Sequence, residues 1–149
     1  MKRTVVAGIG NVFLGDDGFG VAVAQRLASE PLPESVRVID AGIRGVHLAY
    51  DLMEGVDRAI LVDAWRSGQP PGTITVLEPE IDPSRGTGVD AHVMDPSTVL
   101  ATLATLGGGP AEVLLVACEP LTTEEGMGLS GPVAAAVEPA ARLVSELVS

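Results

Sequence analysis

Thr4-Val5-Val6-Ala7-Gly8-Ile9-Gly10-Asn11-Val12-Phe13-Leu14-Gly15-Asp16-Asp17-Gly18-Phe19-Gly20 runs from an apolar strand through a glycine-studded loop with two adjacent carboxylates into a helix. Glycine lets the backbone turn sharply and approach a ligand closely, so a strand that enters a Gly-x-Gly turn marks a place where something binds. The acidic pair points to the kind of ligand.

The strand is the first of five runs rich in β-branched residues: Thr4 to Ile9, Val36 to Asp40, Ala59 to Asp63, Thr73 to Leu77 and Val113 to Cys118. Helical patterns separate most of them. Phe19, Val23 and Leu27 repeat every four residues, Val46, Ala49 and Leu52 or Met53 every three or four, and Val99, Leu100, Leu103 and Leu106 give a third stripe. Val133, Val137, Ala140, Val144 and Leu147 share a face of the last helix, with Pro132 near its start; Pro139 predicts either a kink or a helix that begins later than the stripe. Only Ala64 to Gly72 precede the fourth strand, too short for a helical crossover, so that strand is expected at an antiparallel edge. The pattern predicts an α/β fold: a three-layer sandwich with a twisted, mostly parallel five-stranded sheet flanked by helices.

The 149 residues fit a single domain, 1–149, that buries about 70% of the surface its unfolded chain exposes. Hydrophobic residues make up 46% but aromatics only 3%, which implies a core of Val, Leu, Ile and Ala, as in buried parallel sheets. A net charge of -11 opposes the phosphate attraction that dominates nucleic-acid binding and argues against DNA, RNA and anionic membranes as partners. Cys118 is the single cysteine, which excludes an internal disulfide and fits a reducing, cytoplasmic setting. The N-terminus lacks the apolar region of a signal peptide, and no stretch reaches the roughly 18 apolar residues of a membrane span, so the expectation is a soluble protein.

In a mostly parallel sheet, loops at the carboxyl ends of the strands converge on one crevice. Asp17 follows the first strand, Asp63 ends the third, and His92 lies in the long irregular connection from Glu78 to Met94. Two carboxylates and an imidazole form a mixed donor set suited to a borderline divalent metal such as nickel, zinc, manganese or iron. Each also has a plainer reading. Asp16 or Asp17 could cap the first helix, Asp63 could close a turn, and a lone loop histidine is most often just solvated. Asp40, ending the second strand, could orient the loop Gly42 to Gly45 or a bound partner, while His47 suits a surface or packing role and Glu119 a rim or turn role.

Other chemistries fit less well. The dinucleotide fingerprint needs a third glycine where Phe13 stands, and a phosphate-binding loop needs a lysine, whereas Lys2 is the only one in the chain. Gly128-Leu129-Ser130-Gly131 lacks the spacing of a nucleophile elbow, and the one cysteine would have to pair with His47 or His92.

With these residues in view, the chain resembles the hydrogenase maturation endopeptidases, which remove a C-terminal extension from the large subunit of nickel-iron hydrogenases. Gly8-Ile9-Gly10-Asn11 followed by Gly15-Asp16-Asp17-Gly18-Phe19-Gly20 is similar to the family's opening signature, Val62-Asp63-Ala64 to its central acidic strand end, and Ala91-His92 ahead of Pro96 to its histidine loop. The resemblance implies that Asp17, Asp63 and His92 are the metal-binding and catalytic residues, with Asp16 and Asp40 in supporting positions. Some members carry Glu at the position of Asp17, whose shorter side chain reaches less far. It further implies a metal-dependent endopeptidase whose partner is a nickel-iron hydrogenase large-subunit precursor; a monomer that docks transiently is expected. On the same resemblance, nickel is expected to be supplied by that precursor, with other divalent metals able to occupy the site in vitro. The alternative is a non-proteolytic, metal-binding, chaperone-like paralogue that holds an immature subunit without cutting it.

Overall fold

The computed structural model describes residues 2–43, 45–53, 55–79, 96–107 and 109–149, without the side chains of 45, 46 and 96–98. Strands β1 (Thr4–Ile9), β2 (Val36–Gly42), β3 (Arg58–Ala64), β4 (Ile74–Leu77) and β5 (Glu112–Cys118) form one sheet in the order β2-β1-β3-β5-β4. The first four in that order are parallel, and β4 runs antiparallel to β5, with Ile74 opposite Cys118 and Leu77 opposite Leu115. The short link before β4 crosses the end of β5: Trp65 N–H donates to the Cys118 carbonyl and Gly72 N–H to that of Glu119.

Side chains alternate between the two faces of each strand, and both faces are apolar, which is why the strands read as continuous hydrophobic runs. Val6, Ile60, Val62 and Val116 pack against Phe19, Val23 and Leu27 of α1 (Phe19–Leu27) and Val133, Ala140 and Val144 of α4 (Gly131–Val148). Val5, Ala7, Leu61 and Leu115 meet Leu48 and Leu52 of α2 (Gly45–Leu52) and Val99 and Leu103 of α3 (Pro96–Thr105). Burying each such large side chain stabilises the fold by about 1.5–3 kcal/mol, so these two layers are the main stabilising term.

The last helix removes the late start from the two readings of Pro139. It begins at Gly131, with Pro132 in its first turn, and continues through Pro139 instead of starting late. Pro139 lies on the exposed side, so its ring meets solvent and the helix forgoes one backbone hydrogen bond there.

From β1 the chain passes to β2 on one side and then to β3 on the other, so the winding reverses between the carboxyl ends of β1 and β3. Open sheets of this kind bind ligands at that point. The crossover is tight: a Cβ on Gly20, in the first turn of α1, would lie 2.0 Å from the Val62 carbonyl oxygen and 2.5 Å from that of Ile9. Glycine there lets the helix rest directly on the two strand backbones.

Candidate functional site

After β1, a turn from Gly10 leads into a short 3-10 helix, Gly15–Gly18, that carries both aspartates. Successive side chains of a 3-10 helix diverge by about 120°, so neighbours on it meet different surroundings. Asp17 turns back on the loop, its Oδ2 accepting the Asn11 N–H at 2.8 Å, and it stays partly exposed. Asp16 turns inward and is completely buried.

Asp63 is also completely buried, and its Oδ1 accepts the Ala64 N–H at 2.7 Å. It follows Ala59 and Leu61 in phase and so belongs to the face covered by α2 and α3. Gly10 joins the two acidic residues. Its φ is 136°, and a Cβ there would lie 1.9 Å from the Asp17 carbonyl oxygen and 3.2 Å from Asp63 Oδ1. The missing side chain is what lets the 3-10 helix and the Asp63 carboxylate close on the same turn, at the reversal point of the sheet. Gly10 N–H donates to the Gly42 carbonyl at 3.0 Å, tying the turn to the end of β2 as well.

The other expected residues divide. His92 lies outside the described residues; α3, which begins at Pro96, packs on the face to which Asp63 belongs. Among the described residues no group of three His, Cys, Asp or Glu side chains is placed to hold a metal; Asp17 and Asp63 are the part of the expected donor set that they contain. Asp40 falls in phase with Val36 and Val38 on the α1 side of β2, the face opposite that of Asp63, and its Oδ2 accepts a long hydrogen bond of 3.4 Å from Gln25 Nε2 of α1. His47 is exposed on α2.

Asp16 does not cap a helix. Its Oδ2 accepts the N–H groups of Leu121 and Thr122 at 2.8 and 3.1 Å and the Ser130 hydroxyl at 2.8 Å, while Oδ1 accepts the Ser130 N–H at 2.7 Å. Burial alone would raise its pKa, but the donors from Ser130, Thr122 and Leu121 outweigh that and hold the carboxyl below the usual carboxylate range. The residue is thus a staple between the loop after β1 and the segment leading into α4. Nothing local in the sequence marks this role, because the partners lie 105–114 positions away.

Glu119 does the same for the link after β3. It accepts the Ser67 N–H and hydroxyl at 2.7 and 3.0 Å and the Gly68 N–H at 3.3 Å, and the Ser67 N–H above all keeps its carboxyl below the ordinary range. Cys118 is fully buried, and burial, with the negative charges of Asp16 and Glu119 nearby, pushes its thiol up to about 11. A thiol so poorly ionised is no nucleophile at neutral pH. The described acidic residues of the site therefore divide into two buried or near-buried staples and one pair, Asp17 and Asp63, gathered about Gly10.

The family model for HycI, hydrogenase maturation protease, matches residues 21–147. The chain is 33% identical over 137 residues to the hydrogenase expression/formation protein HupD of Rhodobacter capsulatus, covering 90% of this chain and 65% of that protein. It is 34% identical over 141 residues to the hydrogenase 2 maturation protease of Escherichia coli, covering 93% and 85%. Among solved structures, the hydrogenase maturating endopeptidase HybD from E. coli superposes with a TM-score of 0.79 at 30% identity, over 95% of this chain and 89% of that one. A hydrogenase 2 maturation peptidase from a Thaumarchaeota archaeon does so with a TM-score of 0.77 at 33% identity, over 99% of both chains.

Proposed function

The chain belongs to the hydrogenase maturation protease family, and from that premise we propose that it is an endopeptidase that removes the C-terminal extension of a nickel-loaded nickel-iron hydrogenase large-subunit precursor, completing its maturation. The observation that carries this is the approach of the Asp17 carbonyl and the Asp63 carboxylate to Gly10 at the reversal point of the sheet, with the Asp17 carboxylate on the adjoining Asn11 N–H. The chaperone-like alternative is not favoured, since the E. coli relatives are by name a maturation protease and an endopeptidase.

Nickel enters as part of the substrate. Two carboxylates and, with His92, an imidazole make a donor set of the hardness that nickel accepts, and other divalent ions compete for it in vitro. Recognition through that nickel restricts cleavage to precursors whose metal is in place. When bound, the metal supplies Lewis acidity toward the scissile carbonyl. The chain's own residues do the rest: Asp63, rigid because it is buried, orients the substrate, and Asp17, partly exposed, accepts the proton of the attacking water. That proton passes to the departing amine as the C–N bond breaks. The high pKa of Cys118 fits a route without a thiolate.

The protein acts as a cytoplasmic monomer that docks transiently on its precursor. Its net charge of -11 is unsuited to nucleic acid, and no helix among the described residues is long and apolar enough to cross a membrane. The test is single replacement of the proposed residues. Asp17→Asn, Asp63→Asn and His92→Ala should each lower processing of the loaded precursor by roughly a hundredfold or more without changing the circular dichroism spectrum. Normal cleavage by any folded variant removes that residue from the site.

A further inference from the structure

Beside the acidic site, four large apolar side chains reach solvent from two loops. Phe13 (61% exposed) and Leu14 (37%) follow β1; Leu121 (54%) and Met127 (74%) lie between β5 and α4. The chain has only two phenylalanines, and one of them is spent here.

The two loops are one surface. Gly126 N–H donates to the Phe13 carbonyl and Gly15 N–H to the Gly126 carbonyl, both at 2.8 Å, and Asp16 N–H reaches the Thr122 carbonyl at 2.9 Å. Beneath them the buried Asp16 carboxylate takes the N–H groups of Leu121 and Thr122. The same surface is tied to the site: Phe13 N–H donates to Asn11 Oδ1, and Asn11 N–H donates to Asp17 Oδ2. Scattered exposed hydrophobes need no explanation, but a group fixed outward by a buried, fully bonded carboxylate is a built feature, and clustered apolar exposure marks interaction sites. Met127 stands between Gly126 and Gly128, and its unbranched side chain adapts to irregular partners. Glu124 and Glu125 are exposed in the same loop, so an occupant should carry positive charge beside its apolar side chains.

We infer that Phe13, Leu121 and Met127 form the docking surface for the segment of the large-subunit precursor next to the scissile bond, an apolar segment flanked by basic residues. The identity of the occupant rests on the proposed function, and the patch adjoins the proposed catalytic carboxylate through Asn11. The surface would therefore set affinity for the precursor, leaving the chemistry to Asp17 and Asp63.

The test compares the wild type, the double variant Phe13→Ser/Met127→Ser, the single variant Met127→Lys, and Tyr50→Ser as a control exposed to a similar degree (56%) on α2. With nickel-loaded precursor, the double variant should raise KM by about tenfold or more with kcat nearly unchanged, as expected when uniform binding is removed. Met127→Lys should act in the same direction, and Tyr50→Ser should match the wild type. Unchanged KM in a variant with wild-type circular dichroism overturns the inference while wild-type cleavage upholds the proposed function. If the wild type does not cleave, interferometry with immobilised precursor reads the surface alone: weaker binding by the variants supports it, and equal binding, or none by the wild type, overturns it. Self-association of the wild type that the double variant abolishes would assign the patch to a second copy of this chain and also overturn it.

Discussion

The carboxylate of Asp16 accepts both the backbone N–H of Ser130, at 2.7 Å, and its hydroxyl, at 2.8 Å, so the loop after the first strand is pinned to the residue that precedes the last helix. Its neighbour Asp17 points the other way and bonds the Asn11 N–H. One turn of 3-10 helix thus separates two identical side chains into a buried staple and a partly exposed carboxylate at the proposed site. The staple keeps the turn that carries Asp17 in place.

Asp16→Asn should destabilise the protein by roughly 2–4 kcal/mol, because an amide nitrogen would face donors that now share a buried acceptor. The pH dependence has a defined sign. The folded pKa lies below the unfolded one, so the stabilisation is fully present above the unfolded value, near 4, and is lost as pH falls through the folded value. Urea unfolding should therefore show the gap between wild type and variant largest at pH 7 and shrinking below about pH 4. A gap that holds constant down to pH 3 would refute this role.

Gly10→Ala should cost about 2 kcal/mol or more, since it combines a positive φ with a contact of 1.9 Å to the Asp17 carbonyl. Gly107 is the contrast. Its φ is 96°, but nothing lies within 4 Å of a Cβ there, so Gly107→Ala should cost only about 1 kcal/mol. Thermal melts of the two variants check the order, and equal losses would mean that backbone strain, not the closeness of Asp17 and Asp63 to the turn, governs position 10.

Cys118 should resist thiol reagents in the native protein at pH 8 and react fully in denaturant, because the thiol is buried and its pKa is raised to about 11. Iodoacetamide should leave precursor processing unchanged. Rapid native labelling with loss of activity would place the cysteine in the reaction.

Much of this was legible in the chain. β1, β3 and β5 are apolar on both faces, so their runs stood out whatever the register, and the nine residues Ala64 to Gly72 were too few for a crossover, which forecast the antiparallel β4. The placement of Asp63 was legible because it lies at the end of such a run, at the edge where ligands bind. Asp16 was not, since its meaning depends on N–H groups more than a hundred residues away. The packing role of Gly20 was not legible for a related reason: it lies in the carbonyls of Ile9 and Val62 that the residue lets approach. Pro139 signalled a kink or a late start for α4 because a local rule counts the lost donor; the late start is ruled out by a helix that begins at Gly131 and packs Val133, Ala136 and Ala140 into the core.

On the proposed function, this chain cuts a hydrogenase large-subunit precursor only when nickel is in place. The measurement is the intact mass of the precursor, nickel-loaded and nickel-free in parallel, before and after incubation with the protein. Nickel-gated cleavage should remove one defined C-terminal peptide from the loaded form and leave the other unchanged. Equal cleavage of both forms would contradict recognition through nickel, and stable binding of the loaded form with no loss of mass would contradict the protease itself.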